Sequence, residues 1–455
     1  MENQQTNKVA TQSVPKLLWR LGLPMILSMV LQAVYNIVDT AFVINMGEEG
    51  VNGNLALAYA FPIQLLMIAV GVGTGIGINA ALSRSLGERK AEKASKIVGN
   101  GIFLGVCIYV AFLLFGIFGV RGFIVLQAGG NALAVEMGTE YLQICCCCSF
   151  GCIGFMIYER FLQATGKTLY STVAQIAGAL TNIVLDYVFI YPCGMGIVGA
   201  AWATVIGQVL SLLVAMALHY FANKEVQNTW QGLAPSIRIV REIYAVGWAA
   251  AIMQGLLSVM MLLMNLVLGG AQTDAALLQG SFGIYYKIMQ FALFAVFGIS
   301  NTIITVLSFN YGVGDMARAK ACVKHGLIMS VSVALLITVL FELFAEPLAT
   351  LFSLASGGVN ENITQVVVYA IRIGAIGYVF MGYSVGVQGV LQALRYSVAP
   401  LVISLLRLVV FVLPVAYLFT LSPNAPLLVW WSFPISELLT AVVSFFLLKN
   451  NKKLR

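Results

Sequence analysis

Apolar residues fill this chain in long blocks, and polar residues gather in the short gaps between them. A helix that crosses a bilayer needs about 20 mostly apolar residues. Twelve blocks reach that length: 17–45, 54–83, 97–120, 133–162, 169–191, 196–221, 240–269, 275–307, 322–344, 363–392, 399–420 and 425–448. Several are longer than a straight crossing requires, and tilt, kinks or extension into water would absorb the excess. The pattern predicts an all-α membrane protein of twelve transmembrane helices, embedded in the lipid bilayer. Pro24 in the first block is a natural kink point and a candidate gating position.

The gaps carry a charge pattern. Numbered by twelve spans, the termini and the even-numbered gaps share one side. All but Arg121, Lys287, Arg372 and Arg407 of the 25 Lys and Arg lie on that side. The opposite gaps hold Glu48, Glu49, Asp274 and Glu361. Basic loops stay cytoplasmic, so both termini are expected in the cytoplasm of a multi-pass protein of the cell's plasma (inner) membrane.

Composition agrees. Charged residues make up 9% of the 455, against roughly 25% in soluble domains, which leaves no room for a soluble domain of any size. The net charge of +7 suggests no nucleic-acid partner, because the bases sit in gaps between spans. The N-terminal stretch MENQQTNKVATQSVPK lacks the apolar core of a cleavable signal peptide. Four of the eight cysteines form Cys145–Cys148 inside a span, where one helical turn points them in different directions. They read as small apolar residues rather than as a metal site.

The chain repeats itself. LSRSLGERKAEKASK at 82–96 aligns with LSFNYGVGDMARAKA at 307–321, and FLQATGKTLYS at 161–171 with VLQALRYSVAP at 390–400. The offsets are 225 and 229 residues, half the chain. Six spans therefore repeat as six spans in the same orientation. Two pseudo-symmetric six-helix lobes are expected, 1–225 and 226–455, with a linker at about 222–239 and a central cavity between them. This architecture favours transport by alternating access.

Polar residues inside the blocks mark where that transport would act. An aspartate at mid-bilayer costs roughly 2.5–3.5 kcal/mol, and such residues usually face a cavity and bind an ion, a proton or a substrate. The first half holds Asp39, Asn182 and Asp186, with Thr204 in the following span. Asn182 and Asp186 are four apart and share a helix face. Gln32, Tyr35 and Asn36 share the face of Asp39. At offset 229 the second half puts Phe411 and Val415 where Asn182 and Asp186 stand, so the carboxylate is not needed to make the span.

At this point VDTAFV (38–43), SLGERKAEKASK (85–96), LQATGK (162–167), TNIVLDYVFI (181–190) and GIVGAAWAT (196–204) resemble the multidrug and toxic compound extrusion (MATE) family. LSFNYGVGD (307–315) and VLQALR (390–395) extend the resemblance through both halves. It implies a cation site at Asp39, Asn182, Asp186 and Thr204, with a backbone carbonyl from Ala200. Such an all-oxygen site suits Na⁺. The same carboxylates could instead carry H⁺, since burial and a like-charged neighbour both favour a neutral acid. Gln254 stands where one branch of the family keeps a glutamate, so the chain looks nearer to the DinF/MepA-type branch than to the NorM branch.

The second half has charges of its own, Lys287, Arg372, Arg407 and Glu437. Buried charges need partners, so pairing is expected. Contact with substrate is the alternative, in a cavity to which Gln254 and Met381 would also contribute. Glu159 and Arg160 read as a local ion pair near the end of the fourth span, or as part of a gate.

No Walker A, HExxH or GxSxG pattern occurs, and neither His219 nor His325 sits in a catalytic pattern, so no enzyme is expected. The expected function is that of a Na⁺- or H⁺-coupled antiporter without an organic cofactor. It would export amphipathic, mostly cationic small molecules (multidrug efflux, hence antibiotic resistance) as a monomer. The rival reading is a flippase for a lipid or lipid-linked oligosaccharide.

Overall fold

The computed structural model describes residues 11–46, 50–127, 132–226, 234–272, 274–354, 360–451 and 453, with every side chain among them except those of Asn36 and Val51. Lys8, Glu48, Glu49, Lys452, Arg455 and much of the expected linker lie outside the described residues.

Among the described residues eleven helices are long and apolar enough to cross a membrane, and one bent pair, taken as a single span, supplies a twelfth. In chain order the spans are Val14–Ile44, Gly50–Gly87, Ala91–Phe118, the pair Ala132–Cys147 and Phe150–Ala164, Thr168–Ile190, Gly196–Ala222, Ile237–Gly269, Ala275–Val313, Met316–Leu343, Glu361–Ala393, Val398–Thr420 and Ala425–Lys449. The fourth span bends by 45° just past the four-cysteine run, a break that its unbroken apolar pattern did not announce. The helix Val14–Ile44 runs through Pro24 as one element. Asp274, Asp315 and Asn360 start the eighth, ninth and tenth spans by accepting hydrogen bonds from first-turn backbone N–H groups.

The repeat is visible in the backbone. Each half adds a short helix after its third span, Val120–Gln127 and Ala345–Leu354. Left-handed residues recur at both offsets: Arg89 (φ 56°) matches Gly314 (φ 84°), and Gly166 (φ 77°) matches Arg395 (φ 61°). The chain reverses direction in the same way twice and places glycine at only one of each pair.

The halves meet by a reciprocal exchange. The first span packs on the eighth and the second on the seventh, which is one contact under the repeat. Side-chain hydrogen bonds between the halves, among the described residues, run toward the end that bears the termini. They include Thr74–Tyr244 (3.0 Å), Thr305–Asn79 (3.1 Å), and Asn100 with the carbonyl of Ala234 (3.2 Å) and the N–H of Ser236 (2.8 Å). Gly77 lies so close to the Ile243 carbonyl, and Gly87 to that of Phe309, that neither has space for a Cβ. This end of the bundle is closed.

Candidate functional site

The site in the first half begins with two glycines. A Cβ on Gly207 would stand 2.8 Å from the Asn182 Cβ and 2.8 Å from the Gly178 carbonyl, so the fifth and sixth spans cross almost backbone to backbone. That approach pushes Asn182 (1% exposed) and Asp186 (0%) inside, while Leu180, Val184 and Tyr187 on the other face are exposed. Asn182 Nδ2 reaches Thr204 Oγ1 at 3.5 Å. The first span brings Asp39, whose carboxyl lies against that of Asp186, and Tyr35, whose hydroxyl lies against that of Thr204. Ala200 is buried one turn before Thr204 in a regular helix. Its carbonyl retains the second lone pair that any helical carbonyl keeps.

The chemistry of this cluster is an excess of acceptors. Asp39 Oδ1, both carboxylate oxygens of Asp186 and Asn182 Oδ1 are buried without a hydrogen-bond donor. Two ionised carboxylates have only lone pairs to offer one another, so their contact is favourable only with a proton or a cation between them. Three oxygen types (carboxylate, amide and hydroxyl) converge here, a donor set that fits a proton or a hard cation. Among the described residues no three His, Cys, Asp or Glu side chains gather as a metal site, so Na⁺ would need the Asn182, Thr204 and Ala200 oxygens as well.

The other expected residues divide. Gln32 accepts from Gln175 Nε2 at 2.8 Å, a bond between the first and fifth spans. The Pro24 carbonyl accepts from Thr172 Oγ1 at 2.7 Å, which ties the proline to the helix that bears Asp186. The side chain of Asn36 lies outside the description. Sequence reasoning missed Gln64, Tyr141 and Cys145. Gln64 Nε2 donates to the Tyr141 hydroxyl at 3.1 Å and approaches Cys145 Sγ at 3.9 Å, and Tyr141 and Cys145 both lie close to Asp39. The available signal was a lone amide in FPIQLLM.

In the second half Gln254 and Lys287 are half-buried and Met381 is buried. The expected pairing is seen for Arg407 with Glu437 and for Arg372. Arg407 Nε is 3.2 Å from Glu437 Oε1 in the interior, and Arg372 meets Glu346 at 3.3 Å on the exposed surface. Met260, Met289, Met381, Phe433, Arg407 and Glu437 share a small cavity.

Charges hold the closed end. Glu242, at the start of the seventh span, accepts from Lys93 of the other half at 2.8 Å and from Arg395. Glu88 bonds Arg84 and Lys90, both at 2.9 Å. Burial would raise its carboxyl, but the hydrogen bonds from Lys90 and Arg84 prevail and hold it down to about 2. Glu159 and Arg160 form a buried network, not an exposed pair. Arg160 donates to Gln163 at 2.8 Å, and Gln163 to Glu159 at 2.9 Å.

Membrane-length helices with buried carboxyls in one half define an integral membrane protein. The MatE family matches residues 24–188 and 249–418, so the chain belongs to the MatE family, whose members are transporters and not enzymes. Multidrug export protein MepA of Staphylococcus saprophyticus is 25% identical over 98% of this chain and 96% of its own length. MepA of Staphylococcus aureus (strain bovine RF122) is 23% identical with the same coverage. These relatives agree with the MepA-type branch. An outward-facing multidrug resistance MATE family transporter of the MOP superfamily shares the fold at a TM-score of 0.91, with 23% identity over 98% of each chain. A MOP superfamily transporter from Pyrococcus furiosus shares it at 0.88, with 23% identity and 98% coverage of both.

Proposed function

We propose that the chain is a cation-coupled antiporter that exports amphipathic, mostly cationic organic compounds across the plasma membrane. MATE transporters are ion-coupled antiporters, and the MepA relatives are multidrug exporters by name. The observation that carries the reading is the contact of Asp39 with Asp186, in which Asp39 Oδ1 and both Asp186 oxygens are buried without a hydrogen-bond donor.

The mechanism follows from electrostatics. An Na⁺ ion or proton that enters between Asp39 and Asp186 cancels their repulsion and draws the first and fifth spans together. An organic cation in the central cavity is attracted by the same carboxylates while they are charged. Ion and substrate thus favour different states, which is the condition for exchange. The Thr172–Pro24 bond gives the first span a point at which to bend as the fifth span shifts. The lobes 1–225 and 226–455 rock about the reciprocal contact of spans. With both termini in the cytoplasm, the closed end described above is cytoplasmic and the conformation is outward-facing, with the ion site on the path from outside.

The test is efflux of a fluorescent cationic dye from proteoliposomes under an Na⁺ gradient or a pH gradient imposed separately. One gradient drives efflux in the wild type, and Asp39→Asn and Asp186→Asn both abolish it. Full efflux in Asp186→Asn sinks the site. Failure of both gradients to move the dye sinks the substrate class and makes a lipid-linked substrate the next to try.

A further inference from the structure

The eleventh and twelfth spans meet at a charge pair that the first half lacks. At offset 229 Gly178 falls on Arg407, Trp202 on Trp431, Gly207 on Ser436 and Gln208 on Glu437. The corresponding helices of the first half fold without either charge, so the pair is not a requirement of the architecture.

Arg407 sits in a π-turn, Leu406–Val410, closed by the Phe411 N–H to the Leu406 carbonyl at 2.9 Å. The turn has a local cause. Pro414 has no N–H for the Val410 carbonyl, so the regular ladder fails there. Ser436 of the twelfth span donates to the Arg407 carbonyl at 2.8 Å and fixes the distortion in place. Such turns cluster at functional sites.

The pair itself is incomplete. Arg407 is 4% exposed, yet its Nε and Nη1 make no hydrogen bond, and neither does the buried Glu437 Oε2. A structural ion pair offsets its desolvation only when its remaining donors and acceptors are also bonded. This one leaves a donor and an acceptor in the wall of one cavity. Tyr285 and Tyr286 of the eighth span and Tyr378 of the tenth are buried in the same core as Leu408 and Phe433. All three are neutral, so none replaces a counter-charge. A proton on Glu437 strands the Arg407 cation. A lone organic cation is repelled by Arg407, and a lone anion by Glu437. Only a head group with both charges meets both residues.

The walls select the body of the ligand. Met260, Met289, Met381, Leu293 and Phe433 are apolar, and thioether side chains re-pack around varied shapes. The space holds about one water-sized group as it stands, so a larger body enters as the methionines turn.

We propose that the Arg407–Glu437 cavity is a second substrate site that takes lipophilic zwitterions, with an ammonium at Glu437 Oε2 and a carboxylate at Arg407 Nη1. This rests on the reading of the chain as an exporter of organic compounds. The test is calorimetric titration of the purified full-length protein with naphthylalanine, its methyl ester and its N-acetyl derivative, which share a body and differ in charge. The zwitterion binds about tenfold more tightly than either relative, a difference of about 1.4 kcal/mol. The double variant Arg407→Met/Glu437→Met, which stays charge-balanced and apolar, keeps its elution volume but loses that preference. Equal binding of the three probes, or a preference kept by the double variant, overturns the proposal. The ion-site reading fails separately, on dye efflux in Asp186→Asn, so the two failures are distinguishable.

Discussion

The fifth and eleventh spans occupy equivalent places in the two halves and solve the same packing problem with opposite chemistry. In the fifth, Gly178 lets the backbone touch the sixth span, the helix stays regular, and Asn182 and Asp186 line its buried face. In the eleventh, Arg407 stands where Gly178 would be, the helix takes a π-turn, and the positions of Asn182 and Asp186 are the apolar Phe411 and Val415. The first-half acid faces another acid, and in the proposed mechanism a small cation from outside the protein compensates the two. The second-half acid faces a base, so its charge is compensated within the fold. One architecture therefore carries two apposed acids, the proposed ion site, in one half and a charge pair in the other, and neither is dictated by the fold.

Removing the acid from the fifth span gives the largest effect. Asp186→Asn abolishes ion-driven dye efflux in proteoliposomes but leaves expression and melting temperature near wild type, because Val415 shows that an uncharged side chain fits the counterpart position. A large fall in melting temperature would break the comparison, since the acid would then hold the helices together.

Next comes the pair in the eleventh span. Arg407→Ala leaves Glu437 buried without a partner and destabilises the protein by about 3–5 kcal/mol, read from thermal unfolding in detergent. Arg407→Met/Glu437→Met restores stability to the wild-type level or above. Equal losses in both variants would mean that the pair contributes net stability.

A smaller contrast sits in the reversing loops. Arg89 and Arg395 both hold a left-handed backbone, a cost of about 1–2 kcal/mol for a residue with a Cβ. Arg89→Gly stabilises by up to that amount. Arg395→Gly gains less, because it forfeits the ion pair with Glu242. Identical shifts in melting temperature would show that the Glu242 contact contributes nothing.

The smallest effect is a pH dependence confined to the closed end. The Glu88 carboxyl is depressed from its ordinary 4.5 to about 2 in the folded protein. Its contribution is therefore fully present above pH 4.5 and is lost as pH falls through about 2. Glu88→Gln removes it, at a cost below about 1 kcal/mol for a partly exposed network. A wild type and variant whose melting temperatures differ equally at both ends of that range would refute it.

Much of this was legible in the chain. Each span could be read because the length of an apolar helix is local information. The i, i+4 spacing of Asn182 and Asp186 gave one face of the site for the same reason. Gln64 and Tyr141 escaped notice because a lone amide and a lone tyrosine carry no periodic signal and gain meaning only beside Asp39. The bend after Cys147 escaped because the residues on both sides are equally apolar.

The sequence by itself determined the number of spans, their repeat in two halves and the presence of unneeded acids in one of them, since burial length and internal alignment require no knowledge of neighbours. Tertiary structure alone decided which buried groups face each other. Asp39 meets Asp186 across 147 residues because glycines bring the fifth and sixth spans together beneath the first. Arg407 meets Glu437 because a proline breaks the ladder of the eleventh span and Ser436 holds the turn that results. An unpaired charge in an apolar interior is settled by whatever the helix crossings place within hydrogen-bonding distance, and those crossings are set by contacts far apart in the chain.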